Sequence, residues 1–129
     1  MANKDVNVSN NPMYLSVCIY AISLFIPAWD QVAGVICLVF GVVTINEPIL
    51  FLCWLSNIFI AAAWVSFIFS KEYKNSLFLS VMAILLSLTI LPTKHSSLVQ
   101  SGYYFWVASF ILSAIAAAFA ITDEKYFQH

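Results

Sequence analysis

The chain contains very few charged residues. Asp, Glu, Lys and Arg make up 9% of its 129 residues, against about 25% in an average soluble domain, and arginine is absent. The net charge of −1 excludes the basic surface of a nucleic-acid-binding protein. Hydrophobic residues make up 63% of the chain, more than one soluble core of this size can bury. The composition therefore predicts an integral membrane protein, a single domain in the lipid bilayer.

The residues that enzymes and metal centres require are missing or scattered. Cys18, Cys37 and Cys53 each stand in an apolar stretch without a C-x-x-C pair, which excludes thiol-oxidase and zinc patterns. His95 and His129 are far apart in the sequence, so no metal site is predicted. There is no glycine-rich phosphate loop and no nucleophile elbow. We therefore predict a protein that is not an enzyme, with no catalytic residues, no metal and no cofactor.

Five apolar segments lie between two polar ends. The ends, residues 1–11 and 122–129, are predicted as cytoplasmic tails, and residues 12–121 as the transmembrane domain. Helices are predicted at residues 12–29, 31–45, 49–69, 77–91 and 103–121. As a helix, segment 49–69 would be about 31 Å long, enough to cross the hydrocarbon of a bilayer, but segment 32–45 would reach only about 21 Å. The short segment therefore decides the topology.

The five lysines favour a topology in which the short segment enters the membrane and returns to the same side. With four crossings, Lys4, Lys71, Lys74 and Lys125 share one side and only Lys94 lies on the other. With five crossings the lysines divide two to three, which indicates no orientation. By the positive-inside rule we predict an all-α integral membrane bundle with both termini in the cytoplasm. It has four transmembrane helices plus one short broken or re-entrant helix packed among them.

Two acidic residues, Asp30 and Glu47, flank the short helix and are candidate ligand contacts. An acid at a helix break can bind a cation, and discontinuous helices mark the sites of transporters. In the simpler interpretation, which we favour, Asp30 caps the start of the short helix and Glu47 lies in a hydrated turn. None of the four long segments carries a titratable Asp, Glu, Lys, Arg or His near its middle, which argues against a proton-coupled carrier.

One face of segment 49–69 carries a stripe of residues spaced three and four apart. The stripe consists of Trp54, Asn57, Ala61, Trp64 and Ile68. Asn57 falls near the predicted membrane midplane, where its amide needs a hydrogen-bond partner. Trp54, Asn57 and Trp64 are therefore candidate contacts for a ligand or a partner protein, although for Asn57 we favour the role of joining its helix to a neighbouring helix.

Small residues form faces that let membrane helices approach closely. The predicted packing positions are Gly34 and Gly41 in the short segment, Ser80 and Ser87 in segment 77–91, and Ser109, Ser113 and Ala117 in segment 103–121. We expect the faces of the last two segments to meet inside one bundle. A contact between two copies of the chain is the alternative.

Three short phrases stand near the predicted helix ends: Tyr20-Ala-Ile-Ser-Leu-Phe-Ile-Pro-Ala-Trp29, Trp54-Leu-Ser-Asn57 and Gly102-Tyr-Tyr-Phe-Trp106. They resemble recurring patterns of small bacterial inner-membrane proteins of unassigned function. In those proteins Leu-Pro-Ala ends the first helix, Trp-Leu-Ala-Asn opens a middle helix and Gly-Tyr-Tyr-Leu-Trp opens the last. Here Ser56 replaces the usual Ala, and Ile58 stands where a Pro is common, so a straighter third helix is expected. The resemblance implies a bacterial cytoplasmic membrane and brings no activity with it.

These features predict a small non-catalytic membrane protein that acts as an accessory or interaction subunit. One specific version is an immunity-type protein that binds a pore-forming toxin within the membrane. The expected partners are the lipid bilayer and either another membrane protein or a second copy of the chain. The alternative is a small ion channel or solute transporter with an outer acidic site, using Asp30, Glu47 and Asn57.

Overall fold

The computed structural model describes residues 11–29, 32–40, 46, 48–89 and 101–127. Within these residues the chain forms five helices and one short pair of strands. The elements are α1 (Asn11–Ser23), β1 (Pro27–Trp29), β2 (Val32–Ala33), α2 (Gly34–Phe40), α3 (Pro48–Ile68), α4 (Tyr73–Leu88) and α5 (Ser101–Phe127). The predicted all-α class is confirmed, and the four longer helices form a bundle.

Adjacent long helices of the bundle run antiparallel to each other. Near the start of α4, Ser76 donates a hydrogen bond to the Ala63 carbonyl in the second half of α3, at 2.9 Å. Near the start of α5, the Tyr103 hydroxyl donates to the carbonyl of Ser87 at the end of α4. In α1, Ser16 donates to the Ser109 carbonyl of α5 at 2.6 Å.

The end of α1, the start of α3, the end of α4 and the start of α5 therefore lie together. We call this the hairpin end of the bundle, because β1 and β2 are located there. The opposite end, where α1 starts and α5 finishes, carries every charged residue that the structure describes. These are Lys71, Glu72, Lys74, Asp123, Glu124 and Lys125; we call it the charged end.

The first helix is shorter than predicted because it stops before Pro27. A helix to residue 29 was expected, but α1 ends at Ser23 and the chain turns through Leu24 and Ile26. Pro27 has no backbone N–H and disfavours helical geometry in the residue before it. From Pro27 to Trp29 the chain is instead extended and pairs antiparallel with β2.

The short helix also covers less of the chain than predicted. In place of a helix over residues 31–45, residues Val32–Ala33 form β2 and α2 spans Gly34–Phe40. Three residues of the predicted sites, Asp30, Gly41 and Glu47, lie outside the described residues. Nor is α2 packed among the other helices as expected, since its Val39 side chain is 61% exposed.

The remaining helices agree with the prediction at some boundaries and differ at others. The bounds of α3 are within one residue of the predicted ones. Helix α4 starts at Tyr73 rather than residue 77, because Tyr73 packs its ring against Phe67 of α3, with 4.9 Å between ring centroids. Helix α5 continues to Phe127, so residues 122–127, predicted as a polar tail, are helical instead.

Three of the four seams between neighbouring long helices are close, and one is open. Along their lengths α3 packs against α4, α4 against α5 and α5 against α1, whereas α1 and α3 approach each other closely at few positions. The seam between α1 and α3 is bridged by long polar and aromatic side chains instead. This seam holds most of the candidate contact residues.

The distribution of side chains differs from that of a soluble bundle, because serines share the interior with apolar residues and the exterior is also apolar. Small hydroxyl residues fill much of the interior, with eight buried serines: Ser16, Ser23, Ser56, Ser76, Ser80, Ser87, Ser109 and Ser113. Large apolar residues lie outside, where Phe25, Phe78 and Phe119 are 81%, 63% and 65% exposed. Two helices, over Leu50–Ile68 and Ser101–Lys125, are long and apolar enough to span a membrane.

Candidate functional site

The side-chain amide of Asn57 joins three helices. Its Oδ1 accepts hydrogen bonds from the Tyr20 hydroxyl of α1 at 2.6 Å and from the Trp106 indole of α5 at 2.8 Å. Its Nδ2 donates to the Trp54 carbonyl of its own helix at 2.8 Å. Both acceptor directions of the amide oxygen are therefore occupied by protein donors.

Aromatic rings pack around this amide and fill the open seam. The Tyr20 ring lies edge-on to Trp64, with 5.0 Å between centroids, and stacks on Phe110 at 6.3 Å. Trp106 contacts Phe110 edge-on at 5.0 Å. Aromatic pairs in these geometries stabilise packing beyond the area that they bury. The rings thus connect α1 and α3 where their backbones remain apart.

A second polar connection crosses the same seam nearer the charged end. The Trp64 indole donates to the Ser16 hydroxyl at 3.3 Å, and that hydroxyl donates to the Ser109 carbonyl at 2.6 Å. The Ser109 hydroxyl donates back to the carbonyl of Trp106, three residues earlier, at 2.6 Å. Trp64 therefore connects α3 to α1 through Ser16, and the Ser16 hydroxyl connects in turn to α5. Asn57 connects α3 to α1 through Tyr20 and to α5 through Trp106.

Trp54 has a different partner from the other residues of its stripe. Its indole Nε1 donates to the carbonyl of Leu38 at 2.7 Å, in the last turn of α2. Of the remaining stripe residues, Ile68 is partly buried and packs against the core cluster that contains Met13 and Tyr73, and Ala61 is exposed. The predicted stripe thus makes contacts with different elements along its length.

The small-residue faces of α4 and α5 come together in the interior. The hydroxyls of Ser80 and Ser113 are 2.7 Å apart, and Ser113 donates to the Met13 sulfur of α1 at 3.4 Å. Ser87 accepts through its carbonyl from Tyr103 and, at 3.6 Å, from the Cys53 thiol. These contacts join α4 to α5 and to α3, and α5 to α1, through hydrogen bonds between buried residues.

The other predicted packing residues also lie at close contacts. Ala117 is fully buried in a cluster with Met13 and Phe67. Gly34 packs on the end of α1, where a Cβ atom on Gly34 would lie 2.6 Å from the Ser23 carbonyl oxygen. The site residues Asp30, Gly41 and Glu47 lie outside the described part of the chain, so their role as acidic contacts or packing positions stays a prediction.

Sequence reasoning missed Tyr20 and Trp106 as the partners of Asn57. The available signal was the amide itself, since a polar group at depth in an apolar bundle requires donors or acceptors from another helix. Tyr20 and Trp106 each carry a hydrogen-bond donor on a large apolar ring, but other aromatic residues and the serine hydroxyls could also serve as donors. Only the packing of three helices selects these two.

The side chains around Asn57 are uncharged, and their buried polar atoms are already hydrogen-bonded within the protein. Within the described residues, no buried side-chain nitrogen or oxygen lacks a hydrogen-bond partner, and no three potential metal ligands cluster together. The groups present are amide, hydroxyl, indole and thiol. They can hold helices in register, but none of those around Asn57 is a carboxylate or an amine.

Comparisons with known proteins add nothing to this geometry. No family model, curated protein or solved structure gives a significant match to the chain.

Proposed function

We propose that the chain is a four-crossing integral membrane protein of the bacterial cytoplasmic membrane that acts by binding another membrane protein. It is a non-catalytic accessory or interaction subunit, and a specific form of this role is immunity against a pore-forming toxin that inserts into the same membrane. The single observation that carries the proposal is the distribution of side chains, with eight buried serines in the interior and many large apolar residues on the exterior.

That distribution fits a bundle surrounded by lipid. In water, an exterior of exposed Phe, Ile, Val and Leu side chains is unfavourable and leads to aggregation. In lipid there is no hydrophobic drive to bury them, and helices associate through small residues and hydrogen bonds instead. The contact of Ser80 with Ser113 and the hydrogen bonds of Asn57 are both of this kind.

The helix directions support an even number of crossings. Asn11 and Phe127, the first and last described residues, are both at the charged end, and the chain leaves α1 and enters α3 at the hairpin end. Lys71, Lys74 and Lys125 are at the charged end, which the positive-inside rule assigns to the cytoplasm. Helices α1 and α4 are about 20 Å and 24 Å long, and the described apolar residues Leu24, Phe25 and Ile26 extend the apolar stretch beyond α1.

The interior supports an interaction role over transport. Met13, Ile60, Phe67 and Phe110 come from three different helices and are fully buried. The oxygen of Asn57 is occupied by two protein donors, which leaves it no acceptor direction for a permeating cation. Transport by an outer acidic site around Glu47 is the competing proposal.

Reporter fusions test the topology. Alkaline phosphatase and green fluorescent protein would be fused after residue 29, after residue 70, after residue 89 and after residue 127. Fluorescence after residues 70 and 127, with phosphatase activity after residues 29 and 89, is the expected pattern. Fluorescence after residue 29 as well as after residue 70 would contradict the four-crossing topology, because the short segment would then cross the membrane.

Flux and crosslinking separate the two roles. In proteoliposomes we expect no ion flux above that of empty vesicles. In cells, a photoreactive amino acid at the exposed positions 78 and 111 should give a discrete crosslink to one membrane protein, whereas one at buried position 80 should not. A flux that disappears in Glu47→Gln would refute the interaction role and support transport.

A further inference from the structure

Three of the terminal backbone groups of the short helix α2 are hydrogen-bonded to other parts of the protein. A helix leaves its first N–H groups and its last carbonyls without internal partners. Here the Gly34 N–H donates to the Ile26 carbonyl at 3.2 Å, and the Val35 N–H donates to the Leu24 carbonyl at 2.8 Å. In the last turn, the Leu38 carbonyl accepts from the Trp54 indole at 2.7 Å. Water can satisfy such groups at a hydrated surface, but hydrocarbon cannot.

The outward face of α2 is entirely apolar where its side chains are described. Val35, Ile36 and Val39 are 40%, 48% and 61% exposed. Nearby at the hairpin end, Ile22 of α1 and Leu52 of α3 are also exposed. The outward face of α2 therefore continues the large apolar exterior of the neighbouring long helices.

Both attachment points of α2 lie inside the end of the bundle. Gly34 rests on the carbonyl of Ser23, the last residue of α1. Trp54 lies about one and a half turns, or about 9 Å, into α3 from its start at Pro48. Helix α2 is thus attached to the end of α1 and, through Trp54, to the first turns of α3.

We propose that α2 is a re-entrant helix whose outward face, Val35, Ile36 and Val39, contacts lipid acyl chains of the leaflet at the hairpin end, and that the Trp54 indole holds it at that depth. This inference rests on the membrane-spanning function proposed above. A helix of seven residues is too small for a stable protein interface, which buries at least about 1,000 Å². Contact with lipid acyl chains requires no minimum buried area, and acyl chains match the uniformly apolar outward face of α2.

Depth-dependent fluorescence quenching tests the contact. Single cysteines would be placed at position 39, at position 65 on the exposed face of α3, and at position 74 at the charged end, in a chain with its three native cysteines replaced by alanine. Each would carry an environment-sensitive fluorophore in phosphatidylcholine vesicles. We expect acyl-chain-brominated lipid to quench the labels at positions 39 and 65, and aqueous iodide to quench the label at position 74.

The position-65 label distinguishes failure of this inference from failure of the proposed function. If brominated lipid fails to quench at position 65, the membrane-spanning function is refuted. If it quenches at 65 while position 39 is quenched by iodide, α2 lies in water and the inference is overturned. If neither quencher acts at position 39, protein covers the face, as in a dimer, and the inference is equally overturned.

Trp54→Phe tests the indole, with Trp64→Phe as the matched control. Both variants remove one indole donor from α3, but only Trp54 donates to α2. Loss of one hydrogen bond should raise iodide quenching at position 39 about fivefold in Trp54→Phe and leave it unchanged in Trp64→Phe. Continued lipid quenching at position 65 would show that the bundle is intact. Equal quenching of position 39 in both variants would refute the role given to Trp54.

Discussion

Replacing Asn57 by leucine removes the acceptor that Tyr20 and Trp106 share and keeps the side-chain volume close to the original. Each hydrogen bond between membrane helices contributes roughly 0.6–2 kcal/mol, and two are lost. The hydroxyl of Tyr20 and the indole N–H of Trp106 are then left without their partner in the seam. We expect the free energy of unfolding to fall by about 2–3 kcal/mol. Stability would be measured by titrating the protein in mixed micelles with sodium dodecyl sulfate and following helicity.

A double-mutant cycle isolates the hydrogen bond from the packing. Tyr20→Phe should cost about 1 kcal/mol in the native chain and close to nothing in the Asn57→Leu background, because its partner is already absent. The coupling energy should therefore be about 1 kcal/mol. Ile58→Leu is the control, since Ile58 is exposed beside Asn57 and the change should stay within about 0.5 kcal/mol. Additive effects of Tyr20→Phe and Asn57→Leu would refute the reasoning.

Two further substitutions test other close contacts by the same unfolding measurement. Gly102→Ala would place a Cβ atom 2.7 Å from the Ile26 carbonyl oxygen and 2.8 Å from that of Pro27. We therefore expect the free energy of unfolding to fall by about 1–3 kcal/mol. An unchanged free energy of unfolding would contradict the close approach of α5 to the hairpin. Ser113→Ala should cost about 1–3 kcal/mol because it leaves the buried Ser80 hydroxyl without its partner. Adding Ser80→Ala should recover part of that loss, and a fully additive cost would contradict the pairing.

Hydrophobicity and helix-stop signals predicted most of the helices. Helix α3 was predicted within one residue, because its apolar run is bounded by Pro48 on one side and by a polar loop on the other. The early start of α4 was missed, since Tyr73 lies in that polar loop and becomes helical by packing on Phe67. That contact depends on the return of α4 along α3, which local sequence does not encode.

The hairpin after α1 shows a second limit of the sequence. The sequence predicts a helix that runs to residue 29, but in the structure the chain extends from Pro27 and pairs with Val32 and Ala33. Pairing of such short strands depends on the support of neighbouring elements rather than on β propensity. Here Gly102 lets α5 approach the Ile26 and Pro27 carbonyls closely enough to provide that support.

For the candidate site, the sequence indicated which residue needed partners but not which residues would supply them. Asn57 was recognisable as a polar group in an apolar helix. Its donors, Tyr20 and Trp106, lie far from it in the sequence and are chosen by the relative rotation of α1 and α5.

The small buried residues limit how this protein could diverge during evolution. In the proposed lipid setting, positions that face the surroundings can exchange Leu, Ile, Val and Phe with little effect on the fold, because acyl chains adapt to any of them. Ser80, Ser113 and Ala117 are fully buried between helices, so a larger side chain there would force the helices apart. Relatives would thus vary most at the exposed apolar positions and retain the smallest residues.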